Sequence, residues 1–236
     1  MRTFVKQLIP AAGREAIKSR VWAWRLKRAI EPLRANGRFT ADQLHAFWVA
    51  WGNQGFSADK RYLSETIRLI QENRGDVLEC GTGATTMVAG VLAERYQFQV
   101  YCLEQDPAWS SVVRRAVAAN RLSRVHVLDT PLMMYGDYMW YDIGHIVLPR
   151  NFGLVICDGP YIASTLSECV YKNWRYGALP YLKQSRSRFA ALLLDDLNDQ
   201  RALSMLTRWR TEFAVTQENI HASEGDCCVI RDGAVD

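Results

Sequence analysis

The chain has 236 residues, 49% of them hydrophobic, which suits one large globular domain or one domain with an appendage. No run of about 18 apolar residues occurs, so we expect no membrane-spanning helix, and we expect no secretory signal at the amino terminus. Five of the six cysteines lie in apolar, strand-like runs and no Cys-x-x-Cys pair occurs, which predicts buried thiols in a cytoplasmic protein rather than disulfides or a zinc site.

The first 75 residues predict a helical extension. Helices are expected over residues 14–31, ending before Pro32, then after a cap at Thr40 and after a cap at Ser57, with Gly75 closing the segment. Residues 1–40 carry ten Lys/Arg and two Glu, a balance of +8, whereas the remainder carries 19 basic and 23 acidic residues, a balance of −4. This excess predicts a solvated basic face or, alternatively, a lid, a membrane-surface contact or a site for an acidic partner.

Strands and helices then alternate through residues 76–236. Strands are expected at 77–80, 98–103, 124–128, 152–157 and 189–194, helices at 85–95, 107–120 and 197–209, and a closing hairpin at 212–216 and 227–231. Such alternation predicts an α/β fold with helices on both faces of a parallel sheet. We expect a Rossmann-like, seven-stranded, mostly parallel sheet with a C-terminal antiparallel hairpin strand.

A glycine turn follows the first predicted strand. Gly81 and Gly83 let the backbone turn sharply and approach a ligand without an intervening Cβ. Glu104, at the end of the second predicted strand, can accept hydrogen bonds from both hydroxyls of a ribose. Glu79, just before the turn, would repel a phosphate and attract a cationic ligand. Thr86 replaces the third glycine of the dinucleotide fingerprint and no P-loop lysine follows, so the turn favours a different nucleoside-containing cofactor.

The pattern Glu-x-Gly-x-Gly, followed by Leu-Glu-x-Asp, resembles the class I S-adenosylmethionine (SAM) methyltransferases over roughly residues 76–231. The resemblance implies SAM as the cofactor, with Glu104 at its ribose, Glu79 at its methionyl amino group and sulfonium, and Asp129 at its adenine. The cofactor-binding residues implied in this way are Glu79, Gly81, Gly83, Thr85, Glu104 and Asp129.

The fourth predicted strand ends in Asp158-Gly159-Pro160-Tyr161, which in the family that the chain resembles lies beside the transferring methyl group. Amino-directed nucleic-acid methyltransferases carry Asp/Asn-Pro-Pro-Tyr/Phe, and the first of those prolines is missing here. Asp-Gly-Pro is more typical of small-molecule O-methyltransferases. The motif therefore favours a hydroxyl of a small-molecule or glycan-type acceptor. The alternatives are an RNA or protein N-methyltransferase, with nucleic acid not favoured as a partner, and a non-catalytic SAM-binding module.

Carboxylates follow the fourth and fifth predicted strands, so Asp158, Asp195 and Asp196 are expected at one edge of the sheet. Three such groups repel one another unless they are protonated or bridged by a cation. Catechol-type and some sugar O-methyltransferases place Mg²⁺ there, so the resemblance implies these three residues as metal ligands. The alternative is that Asp196 caps the next helix and Asp195 orders the loop.

The candidate bases are Asp158, His145 and Tyr161. Methyl transfer requires mainly that the acceptor be positioned and its proton removed. His145 belongs to residues 140–145, which we expect to form a loop on the acceptor side. Residues 171–180 are expected to form a second such loop, in which Arg175 can anchor an anionic or sugar acceptor.

Overall fold

The computed structural model describes residues 11–52, 57–163, 165, 167–221 and 226–233. The helices are α1 (Ala11–Asn36), α2 (Ala41–Trp51), α3 (Lys60–Glu72), α4 (Ala84–Tyr96), α5 (Pro107–Ala119), α6 (Glu168–Lys172), α7 (Ala178–Gln184) and α8 (Gln200–Glu212). The strands are β1 (Val77–Cys80), β2 (Val100–Glu104), β3 (Val125–Asp129), β4 (Leu132–Tyr135), β5 (Tyr138–Tyr141), β6 (Asn151–Cys157), β7 (Arg188–Leu194), β8 (Val215–Ile220) and β9 (Cys227–Asp232).

Seven strands form one sheet in the order β3-β2-β1-β6-β7-β9-β8. The pairs from β3 to β7 are parallel, and β9 runs antiparallel to both β7 and β8. The central strands are nearly continuous apolar runs because both faces of the sheet are covered by other elements. The predicted fold class, with its late antiparallel hairpin, is confirmed.

The helical extension is built into the core. Leu26 and Leu33 of α1 are fully buried in the same apolar cluster as Val77 of β1. The Tyr62 hydroxyl of α3 donates to the Leu193 carbonyl of β7 at 2.9 Å. The division of the chain into a helical unit at residues 1–75 and a second unit at residues 76–236 therefore stays a prediction. The contacts show that α1 and α3 share one core with the sheet.

Two predicted helix boundaries are wrong. Helix α1 continues through Pro32, although an interior proline costs about 3 kcal/mol. Burial of Ile30 and Leu33 on either side offsets that cost, since each such side chain contributes about 1.5–3 kcal/mol. The predicted Thr40 cap is confirmed, whereas α3 is capped by Asp59, which accepts from the Tyr62 amide at 2.7 Å, and not by Ser57.

Some short elements went unpredicted. Strands β4 and β5 form a separate hairpin whose turn contains Gly136, with φ +67°. A Gly-Asp pair between two aromatic runs is a hairpin signal that was available in the sequence. Helices α6 and α7 occupy parts of the segment at 171–180 that was predicted as an acceptor-side loop. The first strand of the closing hairpin is β8, which begins later than the predicted 212–216 because α8 extends to Glu212.

The five cysteines whose side chains are described are free and buried, as predicted. Within the described ranges, no helix has both the length and the apolar character needed to cross a membrane.

Candidate cofactor and acceptor site

A cavity of about 710 Å³ lies at the carboxyl ends of β1, β2, β6 and β7. This is the edge at which open α/β sheets bind ligands, and the volume falls in the range of small-molecule clefts, about 300–1,000 Å³. One half, which we call the cofactor half, is formed by the turn after β1 and by residues 104–106 and 109. The other, the acceptor half, is formed by Trp51, Ser57, Ala58, Tyr141, residues 158–161, Trp174, Arg175, Asp195 and Asp196.

The glycine turn is shaped by close packing at Gly81. Its φ of +92° lies in the region that favours glycine, and a Cβ there would approach the Gly159 amide nitrogen to 3.1 Å. At Gly83 a Cβ would meet nothing within 4 Å, so this glycine leaves open space beside the cavity. Both glycines and Thr85 line the cavity, so the predicted turn is where the sequence placed it.

Glu104 lies at the tip of β2 and lines the cofactor half. Its Oε2 accepts a hydrogen bond from the Thr82 hydroxyl at 2.5 Å, and its Oε1 accepts from the Asp106 amide at 2.9 Å. These two donors fix the carboxylate at the cavity wall, where further lone pairs can accept from ribose hydroxyls. The geometry fits the role predicted for Glu104.

Glu79 lies beneath the turn and is not among the residues that line the cavity. Its two oxygens accept hydrogen bonds from the hydroxyls of Thr85, at 2.5 Å, and Thr86, at 2.7 Å. Burial raises the pKa of this carboxyl to about 7, although those hydroxyls and Cys102 oppose the shift. The geometry supports a structural role, in which Glu79 secures the start of α4, and gives no support to its predicted contact with a methionyl group.

Asp129 is also not among the residues that line the cavity. Its carboxylate accepts from the Ser110 hydroxyl at 2.5 Å and pairs with Arg114 at 2.9 Å. The Ser110 hydrogen bond and the Arg114 guanidinium lower the pKa of Asp129. These contacts join β3 to α5, and they give no support to the predicted adenine contact.

The three predicted acidic residues do converge, but around an arginine. One terminal nitrogen of Arg175, Nη2, lies 3.0 Å from Asp158 Oδ1 and 2.8 Å from Asp196 Oδ2. Its Nη1 donates to the Asp195 carbonyl at 3.0 Å. The Arg175 side chain is only 4% exposed, so this is an internal ion pair that bridges the loop after β6 and the loop after β7.

The pKa values in this cluster reflect burial and mutual repulsion. Burial, followed by the charges of Asp158 and Asp196, raises the pKa of Asp195 well above its ordinary value. The pKa of Asp158 is also raised by burial, although Arg175 opposes the shift. Burial alone would lower the pKa of Arg175, but the surrounding carboxylates outweigh it and raise that pKa. The arginine therefore stays charged, while Asp158 and Asp195 bind protons more readily than ordinary aspartates do.

The predicted Mg²⁺ ligand set is not supported by this geometry. Within the described part of the chain, no three His, Cys, Asp or Glu side chains are grouped to hold a metal ion. The guanidinium of Arg175 occupies the centre that a cation would need between Asp158 and Asp196. The alternative reading of Asp196 as a helix cap is also wrong, because Asp199 caps α8.

Arg175 was predicted as an anchor for the acceptor, and in the structure its guanidinium is engaged by the chain itself. Besides its ion pairs, its guanidinium lies 3.9 Å from the centre of the Trp174 ring, and Arg201 lies 4.0 Å from the same ring. Trp174 lies within residues 171–180, which were predicted to face the acceptor, although it was not singled out there. Trp51 was not predicted as a cavity residue, because it reaches the cavity only through tertiary packing.

The other two candidate bases differ in position. His145 is 65% exposed, lies 3.9 Å from Asp142, and is not among the cavity residues. Tyr161 lines the cavity, and its main chain is held by the Gln105 side chain through hydrogen bonds of 2.7 and 3.0 Å. The geometry therefore leaves Asp158 and Tyr161 as candidates near a substrate and gives no support to His145.

Comparison with known proteins places this architecture. No protein-family model and no curated protein matches the sequence. Among solved structures, the N-terminal domain of human METTL16 in complex with SAH is 14% identical, with a TM-score of 0.53 over 80% of each chain. A Klebsiella pneumoniae protein, provisionally assigned as an O-methyltransferase, is 15% identical, with a TM-score of 0.52 over 99% of this chain and 96% of that chain.

The chain has the class I methyltransferase fold. A third similar structure is the METTL16 catalytic domain in complex with an RNA hairpin of the MAT2A 3′UTR, which is 14% identical with a TM-score of 0.52 over 86% of this chain and 85% of that chain. Identities this low establish the fold alone.

Proposed function

We propose that the protein is a SAM-dependent methyltransferase that acts on a hydroxyl of a small-molecule or glycan-type acceptor. One observation carries the proposal: Glu104 with the glycine turn and Asp158 with Arg175 line opposite halves of one cavity. The turn, Glu104 and the space beside Gly83 fit a nucleoside-containing cofactor. When bound, SAM supplies a methyl group that is already activated on a sulfonium.

Asp158 is the group best placed to take up the proton of an acceptor hydroxyl. Its Oδ1 is bonded to Arg175, which orients the carboxylate, and its side chain remains 29% exposed. Its raised pKa makes it a stronger base than an ordinary aspartate. Arg175 acts as a fixed positive charge that keeps the three carboxylates together.

The close packing around Gly159 favours a hydroxyl acceptor over an amine acceptor. A Cβ at this position would lie 2.8 Å from Gly81 Cα and 2.9 Å from Gly81 N, and 2.5 Å from the Tyr141 hydroxyl oxygen. The first proline of the amine-directed motif would therefore collide with the backbone of the cofactor turn. The cavity is built around Asp-Gly-Pro and not around a variant of Asp-Pro-Pro.

The acceptor half also contains unmet hydrogen-bond donors. The indole nitrogens of Trp51 and Trp174 and the hydroxyl of Ser57 are buried and have no partner among the described residues. These three atoms have almost no solvent-accessible area, so an acceptor could bond to them only after the surrounding side chains moved. The carboxylates of Asp158, Asp195 and Asp196 line the cavity and can accept a hydrogen bond from a hydroxyl-bearing acceptor.

Calorimetry with SAM and SAH tests the cofactor, and transfer of a labelled methyl group from SAM tests the acceptor. We expect label on glycans or small hydroxyl compounds, and loss of transfer in Asp158→Asn without loss of SAM affinity. Label on an RNA hairpin or a peptide amine would favour the N-methyltransferase alternative, which the similarity to METTL16 in fold does not decide. SAM binding without transfer to any of these acceptors would favour a binding module, and no SAM binding would refute the proposal.

A further inference from the structure

Helix α1 exposes a face that combines basic and aromatic side chains. Arg20, Arg25, Lys27 and Arg28 are all exposed on it. Trp24 is 56% exposed and Val21 42% exposed between them. The Arg28 guanidinium lies 4.9 Å from the centre of the Trp24 ring. We call these six residues the α1 face.

The α1 face is free because the opposite side of the same helix is fully engaged. Leu26, Ile30 and Leu33 are fully buried in the core, and the Trp22 indole donates to the Trp51 carbonyl at 2.9 Å. All eight tryptophans lie in described ranges, and only Trp24 is exposed among them. An exposed tryptophan between cations is therefore a property of this surface and not of a poorly packed helix.

We propose that the α1 face binds an anionic lipid surface. Four exposed cations complement a negative bilayer, and tryptophan is the side chain that favours the boundary between headgroups and acyl chains. A nucleic acid would use the cations, but it would leave the exposed aliphatic side chain of Val21 without a role, so the composition of the α1 face favours lipid.

The ion pairs along α1 support binding of an external anionic surface by the basic residues of the α1 face. No ion pair involving the side chains of Arg25 or Lys27 is seen among the described residues, whereas Arg34, about two turns beyond Lys27, pairs with Glu31 at 3.5 Å. The charge balance of +8 in residues 1–40 against −4 in the rest also orients the protein with α1 toward a negative surface.

Vesicle co-sedimentation of the full chain tests the proposal. The probes are vesicles of phosphatidylcholine mixed with phosphatidylglycerol, and vesicles of phosphatidylcholine alone. We expect binding to the mixed vesicles only, weakened by salt, and a loss of more than about tenfold in affinity for Arg25→Glu/Lys27→Glu, since each cation near such a surface contributes about 1 kcal/mol. Trp24→Ala should lower the binding that persists at high salt.

The matched control is Arg115→Glu/Arg210→Glu, which makes the same change in net charge at exposed positions on α5 and α8. It should leave vesicle binding within about twofold of the parent, because the proposal concerns a local face and not total charge. Thermal unfolding of every variant verifies that each protein is folded.

Three results would overturn the proposal. The first is equal binding of the parent to both kinds of vesicle, or binding to neither. The second is equal weakening by the α1 double variant and by its control. The third is tighter binding to an RNA hairpin than to the mixed vesicles with the same dependence on Arg25 and Lys27, which would assign the α1 face to nucleic acid. Each result leaves the proposed methyl transfer standing, because SAM titration is read independently.

Discussion

The two halves of the cavity hold their carboxylates by different means. In the cofactor half, Glu104 accepts from a hydroxyl and an amide, which leaves lone pairs that can accept more hydrogen bonds. In the acceptor half, Asp158 and Asp196 share one buried guanidinium. The cofactor half therefore offers hydrogen-bond acceptors without a cationic partner to a ligand, whereas in the acceptor half two of the three carboxylates already pair with a cation of the chain. A cluster of carboxylates therefore does not imply a metal site when the chain supplies its own cation.

The largest expected effect follows from removing that cation. Arg175→Ala would leave Asp158, Asp195 and Asp196 close together without a counter-charge. Breaking a fully buried ion pair in this way costs about 3–5 kcal/mol, and because the Asp196 side chain is 47% exposed we expect a smaller loss, about 2–3 kcal/mol. Urea unfolding should show a loss of stability of this size. A loss below about 1 kcal/mol would mean that the carboxylates are compensated otherwise, and the comparison between the halves would fail.

Two matched variants sharpen the result for Arg175. Arg175→Lys keeps the charge but cannot reach both Asp158 and the Asp195 carbonyl with a planar fork, so we expect an intermediate loss. Arg175→Ala/Asp158→Asn removes one of the stranded charges, and it should be more stable than Arg175→Ala alone. Addition of Mg²⁺ to Arg175→Ala should show whether the emptied centre accepts a metal.

The second effect concerns Glu79, the carboxylate under the cofactor turn. Its pKa of about 7 exceeds its ordinary value of 4.5, so the folded state binds more protons than the unfolded state between these values. Stability should therefore fall as pH rises through this window, by on the order of 3 kcal/mol from this group.

Glu79→Gln removes that titration and can still bond to Thr85 and Thr86. We expect a flatter stability curve between pH 5 and pH 8 than in the parent, measured by urea unfolding at both values. Identical pH dependence in the two proteins would show that the buried carboxyl does not titrate in this range.

How far the sequence predicts this molecule differs between the same two halves. The glycine turn and Glu104 come from a strand, its turn and the adjacent strand, so residue types and spacing predict their meeting point. The role of Glu79 could not be predicted from the sequence, because its contacts to Thr85 and Thr86 depend on how α4 packs over the turn. A local pattern thus predicts which residues gather and not which way each side chain points.

The acceptor half was much harder to predict. Asp158, Asp195 and Asp196 were placed at one edge by strand order, but Arg175 was predicted in an acceptor-side loop as an anchor for the acceptor, and not as the partner of these aspartates. Its guanidinium is held by the loops after β6 and β7, and no sequence periodicity predicts such a contact. The requirement for glycine at position 159 could not be predicted either, since the space that a Cβ would need there is occupied by Gly81 on the neighbouring segment.

The third effect is on cofactor affinity. Glu104→Ala should weaken SAM binding by about 1–3 kcal/mol, because ribose hydroxyls would lose a buried acceptor. Asp129→Ala is the matched control, because the Asp129 carboxylate is engaged by Ser110 and Arg114 and does not line the cavity. The affinity of this variant for SAM should equal that of the parent. Calorimetry that shows equal losses for both variants would contradict the division between cavity and scaffold carboxylates.

The smallest effect is expected at His145, which the sequence had offered as a base. Its imidazole is 65% exposed and lies 3.9 Å from Asp142, outside the acceptor half. His145→Ala should change stability by no more than about 0.5 kcal/mol, the usual range for a surface substitution, and should leave methyl transfer unchanged. The comparison is with Asp158→Asn, which should remove transfer. A tenfold loss of transfer in His145→Ala at unchanged SAM affinity would mean that the β5–β6 connection closes over the acceptor half during turnover, so that the acceptor half extends beyond its present walls.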